Sequence, residues 1–319
     1  MASSNAKYRG HLPQLGDKVF ITDAGLETVL IFLDGIDLPC FASFPMLKTD
    51  AGRRRLLDYY AEFARLAVKE QAGLVLESNT WRSNADWGAK LGYDAMALAD
   101  INRDAIALLV EIRTAFETST SPMPISGCIG PRGDGYKPSE IMTAIEAAEY
   151  HQAQIASFAG TAADLVSAFT ITNAPEAIGI VQAAQKASMP VVMSFTLETD
   201  GKLPTGQGLR DAIAEVDAAT NGHAAYFMIN CAHPTHFERV LDGGSWMNRL
   251  RGIRANASCR SHAELDAAGD LDAGDPVELG RQYAGLRARF PQVNILGGCC
   301  GTDFRHVEAI SHSCHVKAA

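Results

Sequence analysis

Apolar positions cluster in eight short runs separated by longer segments with helical spacing. The runs are "KVFITDAG" (18–25), "AGLVLESNT" (72–80), "MPISGCIGP" (123–131), "ADLVSAFT" (163–170), "MPVVMSFT" (189–196), "AAYFMINCA" (224–232), "LRGIRANAS" (250–258) and "VNILGGCCG" (293–301). Each is apolar nearly throughout rather than alternating, the pattern of a parallel strand buried on both faces. Residues 49–71, 94–117, 137–160, 173–188 and 277–290 carry apolar side chains at helical spacing and read as helices, with a weaker one near 234–242. Eight strands, each followed by helix or loop, predict a (β/α)8 TIM barrel over a single domain, 1–319. The rival is an open doubly wound sheet, but "TDAGLET" after the first strand is not its G-x-G-x-x-G turn. The most irregular stretch, 255–277, reads as a long loop after the seventh strand.

Composition narrows the setting. The 319 residues are 47% apolar and 20% charged, ample for a sizeable core, and the net charge is −9. An acidic chain whose nearest basic run, "GRRRLLDYY", reads as a solvated helix start is a poor partner for nucleic acid or an anionic membrane. No run of 18 apolar residues suggests a membrane span, and "MASSNAKYRGHLPQLG" lacks the apolar stretch of a secretory signal. Seven cysteines, an odd number, then suggest reduced thiols and a cytoplasmic location.

In a barrel of this class, chemistry sits at the C-terminal ends of the strands. Those ends offer Asp23, Glu77, Ser78 and Asn79, Ser126 and Cys128, Ser194 and Thr196, Asn230 and Cys231, Asn256 and Ser258, and Cys299 and Cys300. Cys299 and Cys300 are too close along the chain for an easy disulfide, since adjacent Cα atoms lie about 3.8 Å apart and a bridge wants about 5.5 Å. They can grip a third object together with Cys231. Three thiolates suit Zn²⁺ at about 2.3 Å, leaving a fourth position for a substrate thiol, whose nucleophilic form is the thiolate. Taken one at a time the cysteines also admit plain packing, the reading expected of Cys40, Cys128, Cys259 and Cys314.

"GGCCGTDFRHVEAI" (297–310), "MINCAHP" (228–234), "SGCIGPRGDGY" (126–136) and "TDAGLETVL" (22–30) together resemble the homocysteine S-methyltransferase family, in the family's order and over nearly the whole chain. The resemblance implies a (β/α)8 barrel holding zinc on Cys231, Cys299 and Cys300, and methyl transfer to the sulfur of homocysteine to give methionine. Asp23 and Gly25 match the family's substrate loop, and Asn230 precedes the first zinc cysteine. The chain also departs from the family. The strand-four stretch "SAFTITNAPEA" (167–177) lacks the acid that takes the substrate amine, with Phe169 at that place or the place deleted. Glu77, Asp23 or Glu198 must then replace it, or the acceptor is another thiol. The strand-seven motif becomes "RANAS", keeping Asn256 and Ser258, and "ESNTWRSN" adds Trp81 and Arg82. Arg82 either clamps a carboxylate or faces solvent. The implied partners are a small-molecule thiol acceptor and a methyl donor, either a sulfonium (S-methylmethionine or S-adenosylmethionine) or a betaine. Trp81, Trp87, Phe169 and Phe195 are candidates to hold such a cation, or else pack into the core. The alternatives are a different acceptor, a zinc hydrolase, or a non-catalytic zinc or redox sensor. The outer helix faces leave room for a homo-oligomer.

Overall fold

A computed structural model of the chain describes residues 6–137 and 141–315. Nine parallel segments form one sheet: β1 (Phe20–Ile21), β2 (Gly73–Leu74), β3 (Leu76–Glu77), β4 (Ile125–Ile129), β5 (Leu165–Ile171), β6 (Val191–Thr196), β7 (Tyr226–Asn230), β8 (Leu250–Ala255) and β9 (Ile295–Gly298). Their order is β2-β1-β9-β8-β7-β6-β5-β4-β3. Only Val75 separates β2 from β3. The amides of Leu74 and Leu76 donate to the carbonyls of Pro122 and Pro124, whereas the Val75 amide donates to Ile21 at 2.9 Å. One strand thus bonds both of its neighbours, and the sheet closes with eight strand positions, as the eight apolar runs predict.

The helices follow their caps. Asp50–Lys69 starts where the Thr49 hydroxyl accepts from the Gly52 amide. The expected helix over 137–160 begins only at Ala144, where Thr143 and Glu146 form a capping box; residues 138–140 lie outside the described residues. Leu209–Thr220 and Phe304–His315 add helices that the apolar spacing did not single out. The helix near 234–242 shrinks to Pro234–Phe237. Between β8 and the helix Pro276–Arg289, the stretch read as a long loop over 255–277 carries a short helix, His262–Asp266, with its own capping box from Ser261 and Glu264.

Inside the barrel, Phe20, Val75, Leu165, Val192, Tyr226 and Ile295 pack into a floor. Leu12 and the fully buried Gln14 plug the N-terminal end from below. The Asn294 side-chain amide pins that plug by donating to the carbonyls of Gln14, Gly16 and Lys18 at 3.1, 3.0 and 2.7 Å. A filled lower end leaves the C-terminal mouth as the place for chemistry.

Candidate functional site

A cavity of about 380 Å³ opens at that mouth, and Cys231, Cys299 and Cys300 line it. Their sulfurs all lie within 4.8 Å of one another, with Cys231 and Cys300 at 3.9 Å. Tetrahedral zinc with bonds of about 2.3 Å places its sulfur ligands about 3.8 Å apart, so the set fits such an ion.

The backbone holds this geometry. Cys231 sits just beyond β7 with φ of 52°, a left-handed conformation that costs a non-glycine residue about 1–2 kcal/mol. Its amide is secured by the Arg254 carbonyl at 3.1 Å. Beyond β9 the Cys299 amide donates to Ala255 at 2.8 Å, and the Cys300 amide donates to the Asn256 side chain at 3.1 Å. The Thr302 hydroxyl donates to the Cys299 carbonyl and accepts from the Gly25 amide. A Cβ at position 25 would come within 2.4 Å of that Cys299 carbonyl oxygen, so this close approach requires glycine.

Asn230 braces the sulfurs. Its side-chain amide donates to the Thr170 hydroxyl at 2.9 Å and lies 3.3 Å from the Cys231 sulfur and 3.9 Å from that of Cys299. Its oxygen accepts from the Thr170 amide and the Ser194 hydroxyl. These bonds hold Thr170 at a φ of 63°, where β5 shifts register against β6. The thiolate is favoured at Cys299: bonds with the Cys231 and Cys300 thiols pull its pKa down against burial, and Arg254 adds positive charge.

Arg254, on β8, is the residue that the apolar pattern missed. It pairs with Asp23 at 2.7 Å and donates to the carbonyls of Gly298 and Ala24, both at 3.0 Å. Burial opposes its charge, but Asp23, the Cys299 sulfur and Glu77 more than compensate and keep it protonated. A charged side chain within an apolar strand was the available signal, because a buried charge requires partners.

The three acids proposed for the substrate amine separate clearly. Asp23 already holds Arg254 and accepts from the Tyr59 hydroxyl at 3.1 Å. Glu198 pairs with His262 and does not line the cavity. Glu77 lines it, is only 4% exposed, and leaves Oε2 without a hydrogen-bond partner. Burial raises its pKa to about 7, against the pull of Arg254. Glu27, which sequence reasoning passed over, adds a half-buried carboxylate that accepts from Ser43 at 2.9 Å.

Across the mouth, Arg82 is buried, not solvent-facing. Its guanidinium is sandwiched between the rings of Trp81 and Trp87, 3.9 Å from each centroid, and donates to the Gly133 carbonyl at 3.0 Å. Of the two readings for the four aromatic rings, donor cation or packing, the surroundings favour the second. Trp81 and Trp87 already carry Arg82, Phe169 carries Arg254 at 5.0 Å, and Phe195 is core, stacked on Phe227. Packing also fails for two cysteines: Cys40 and Cys259 are exposed, while Cys128 is buried and Cys314 partly so. Ser258 serves the long connection, donating to Asp272 at 2.7 Å.

Two loops cover the sulfurs. The Tyr136 hydroxyl lies 3.1 Å from the Cys300 sulfur, and its ring stacks on His262 at 4.1 Å. His262 in turn donates its Nε2 proton to the Cys231 carbonyl. Neither residue was singled out from the sequence, although Tyr136 ends "RGDGY".

A family model described as Homocysteine S-methyltransferase matches residues 20–314. Among solved structures, the oxidized form of the homocysteine methyltransferase MmuM from Escherichia coli matches with a TM-score of 0.76 at 17% identity, covering 96% of this chain and 99% of that one. The metallated form of the same protein matches with a TM-score of 0.70 at 17% identity, covering 93% and 96%. Among curated protein sequences, none matches.

Proposed function

From membership of the homocysteine S-methyltransferase family, to which this chain belongs, we propose that this methyltransferase is zinc-dependent and moves a methyl group to the thiol of homocysteine, giving methionine. The donor we favour is a sulfonium, S-methylmethionine or S-adenosylmethionine, ahead of a betaine. The observation that carries the reading is the convergence of three sulfurs from the tops of β7 and β9 on one open cavity.

Cys231, Cys299 and Cys300 would hold the zinc ion. Bound there, zinc supplies positive charge that favours the thiolate form of an incoming thiol. The chain's own residues do the rest. Asn230 and Asn256 orient the cysteines, the supporting role that partners of metal ligands commonly play. Glu77, which lines the cavity and has one oxygen without a partner, takes the acceptor's ammonium group in place of the acid missing from "SAFTITNAPEA". Asp23 and Gly25 shape the acceptor's pocket: Asp23 anchors Arg254, and Gly25 lets the first loop approach Cys299. The filled lower end and the Tyr136–His262 cover limit access of water to the sulfurs.

Among the described residues no helix is long and apolar enough to cross a membrane. The cysteines are all free thiols, which supports a reducing, cytoplasmic setting for the reaction.

Purified zinc-loaded protein incubated with homocysteine and each donor in turn tests the reading, with methionine followed by mass spectrometry. S-methylmethionine or S-adenosylmethionine is expected to yield methionine. Zinc bound at the cysteines with no methionine from any donor would favour the sensor instead; methylation of other thiols alone would move the assignment to a different acceptor.

A further inference from the structure

The sulfur end of the cavity is rich in carboxylates, yet its rim holds the opposite charge in an unusual setting. Arg82 is only 7% exposed and lines the cavity. Trp81 and Trp87 cover both faces of its guanidinium, so only the edges can make hydrogen bonds. Nη1 is used by the Gly133 carbonyl. Nε is buried with no partner, and so is the indole N–H of Trp87, the ring against which the guanidinium packs. Both groups can only donate. Asp134 and Glu27 lie near enough to influence the charge, but among the described residues no carboxylate pairs with Arg82 within 4.0 Å. Burial accordingly draws its pKa down to about 10. A buried cation with an unpartnered donor, packed on a ring whose own N–H is unpartnered, lacks one thing, an acceptor-rich anion.

We propose that Arg82 and Trp87 form a carboxylate-binding subsite at the rim of the cavity, reading the carboxylate of a substrate through the free Nε edge of Arg82 and the indole N–H of Trp87. The inference rests on the methyltransferase reading above. That edge of a guanidinium matches the two oxygens of a carboxylate. The two indoles fix its plane beforehand, so little rotamer freedom is lost on binding. The subsite also sorts substrates. A bare sulfonium or quaternary ammonium without an acidic group gains nothing there and meets a like charge, whereas a zwitterion places its anionic end on Arg82 and its cationic end away from it. Both the amino-acid acceptor and a zwitterionic donor carry the required carboxylate.

The test uses the full-length zinc-loaded protein, with S-methylmethionine and its methyl ester as donor probes, and homocysteine and 3-aminopropanethiol as acceptor probes. Binding is followed by the fluorescence of Trp81 and Trp87 and, separately, turnover by product formation. Arg82→Gln is expected to raise KM about 10- to 100-fold for the substrate whose carboxylate it reads, to leave the other substrate's KM unchanged, and to abolish discrimination between that substrate and its carboxylate-free partner. A rise confined to S-methylmethionine assigns the subsite to the donor, and one confined to homocysteine assigns it to the acceptor. Trp87→Phe, which keeps an aromatic face for the guanidinium and removes the N–H, should show a smaller rise in the same direction, and an unchanged circular dichroism spectrum separates lost recognition from misfolding. The subsite is refuted if folded Arg82→Gln binds acid and ester as the parent does, or weakens both equally. If the parent transfers no methyl group at all, the methyltransferase reading fails, while the fluorescence titration of acid against ester still decides the subsite.

Discussion

The two sides of the barrel mouth are built on different terms. On the β7–β9 side, the sulfurs are held by backbone bonds, a required glycine and two asparagines, with little freedom left. On the β3–β5 side, the acid expected in "SAFTITNAPEA" is absent, Thr170 is held left-handed by Asn230, and the recognition proposed above rests on Glu77, Trp81, Arg82 and Trp87. Motifs and departures occur on both sides: "MINCAHP" and "GGCCGTDFRHVEAI" lie on the first with the altered "RANAS", and "SGCIGPRGDGY" lies on the second with the altered "SAFTITNAPEA". The contrast teaches that, on the proposed reading, the sulfurs are set by fixed backbone geometry, whereas the choice of substrate falls to Glu77 at the end of β3 and Arg82 on the loop beyond it.

This contrast can be broken at its strongest point first. Cys299→Ser should strip zinc and reduce methyl transfer by more than the roughly 10- to 100-fold that losing a supporting partner costs, with the circular dichroism spectrum intact. Cys259→Ser, at an exposed thiol, is the matched control and should change neither. Metal analysis alongside the activity assay checks both.

Arg254→Met attacks the link between the sides. It leaves Asp23 buried without its cation and frees the carbonyls of Gly298 and Ala24, and should cost about 3–5 kcal/mol in urea unfolding. A cost below about 1 kcal/mol would mean that the pair is dispensable to the fold.

Glu77→Gln sharpens the recognition side. The folded-state pKa of about 7 lies above the ordinary value of 4.5, so the native state holds this proton more tightly than the unfolded chain does. The contribution is fully present below about pH 4.5 and is lost as pH rises through 7. The parent should therefore lose as much as about 3 kcal/mol between pH 4.5 and 8 from this group, and Glu77→Gln should lack that slope. The same variant should raise the homocysteine KM about tenfold at pH 8, where the parent's carboxylate is charged. Urea unfolding across pH, with KM at two pH values, separates the two effects. Parallel pH profiles for parent and variant would remove Glu77 from the acceptor's pocket.

The barrel was legible because strands buried on both faces leave unbroken apolar runs, and closing eight of them brings positions 231, 299 and 300 to one end whatever their distance along the chain. The helix Leu209–Thr220 escaped notice because it starts at Gly208 with no side-chain cap to announce it. Arg254 was hidden by its setting in an apolar run, and its worth came only from Asp23, a partner on the first strand. Arg82 was legible as a candidate but not as a buried one. Its burial depends on Asn84 capping the helix Ala85–Lys90, which turns Trp87 back over the guanidinium. Such returns of the chain upon itself leave no periodic trace. The exposure of Cys40 and Cys259 was likewise decided by loops.

The position of β9 has a consequence for biogenesis. Because Cys299 and Cys300 follow β9, the last strand, they reach Cys231 only once that strand has docked beside β8. A nascent polypeptide thus carries one of the three sulfurs long before its companions emerge and offers no preformed trap for stray ions. Metal uptake at the proposed site would therefore report that the final strand is in place.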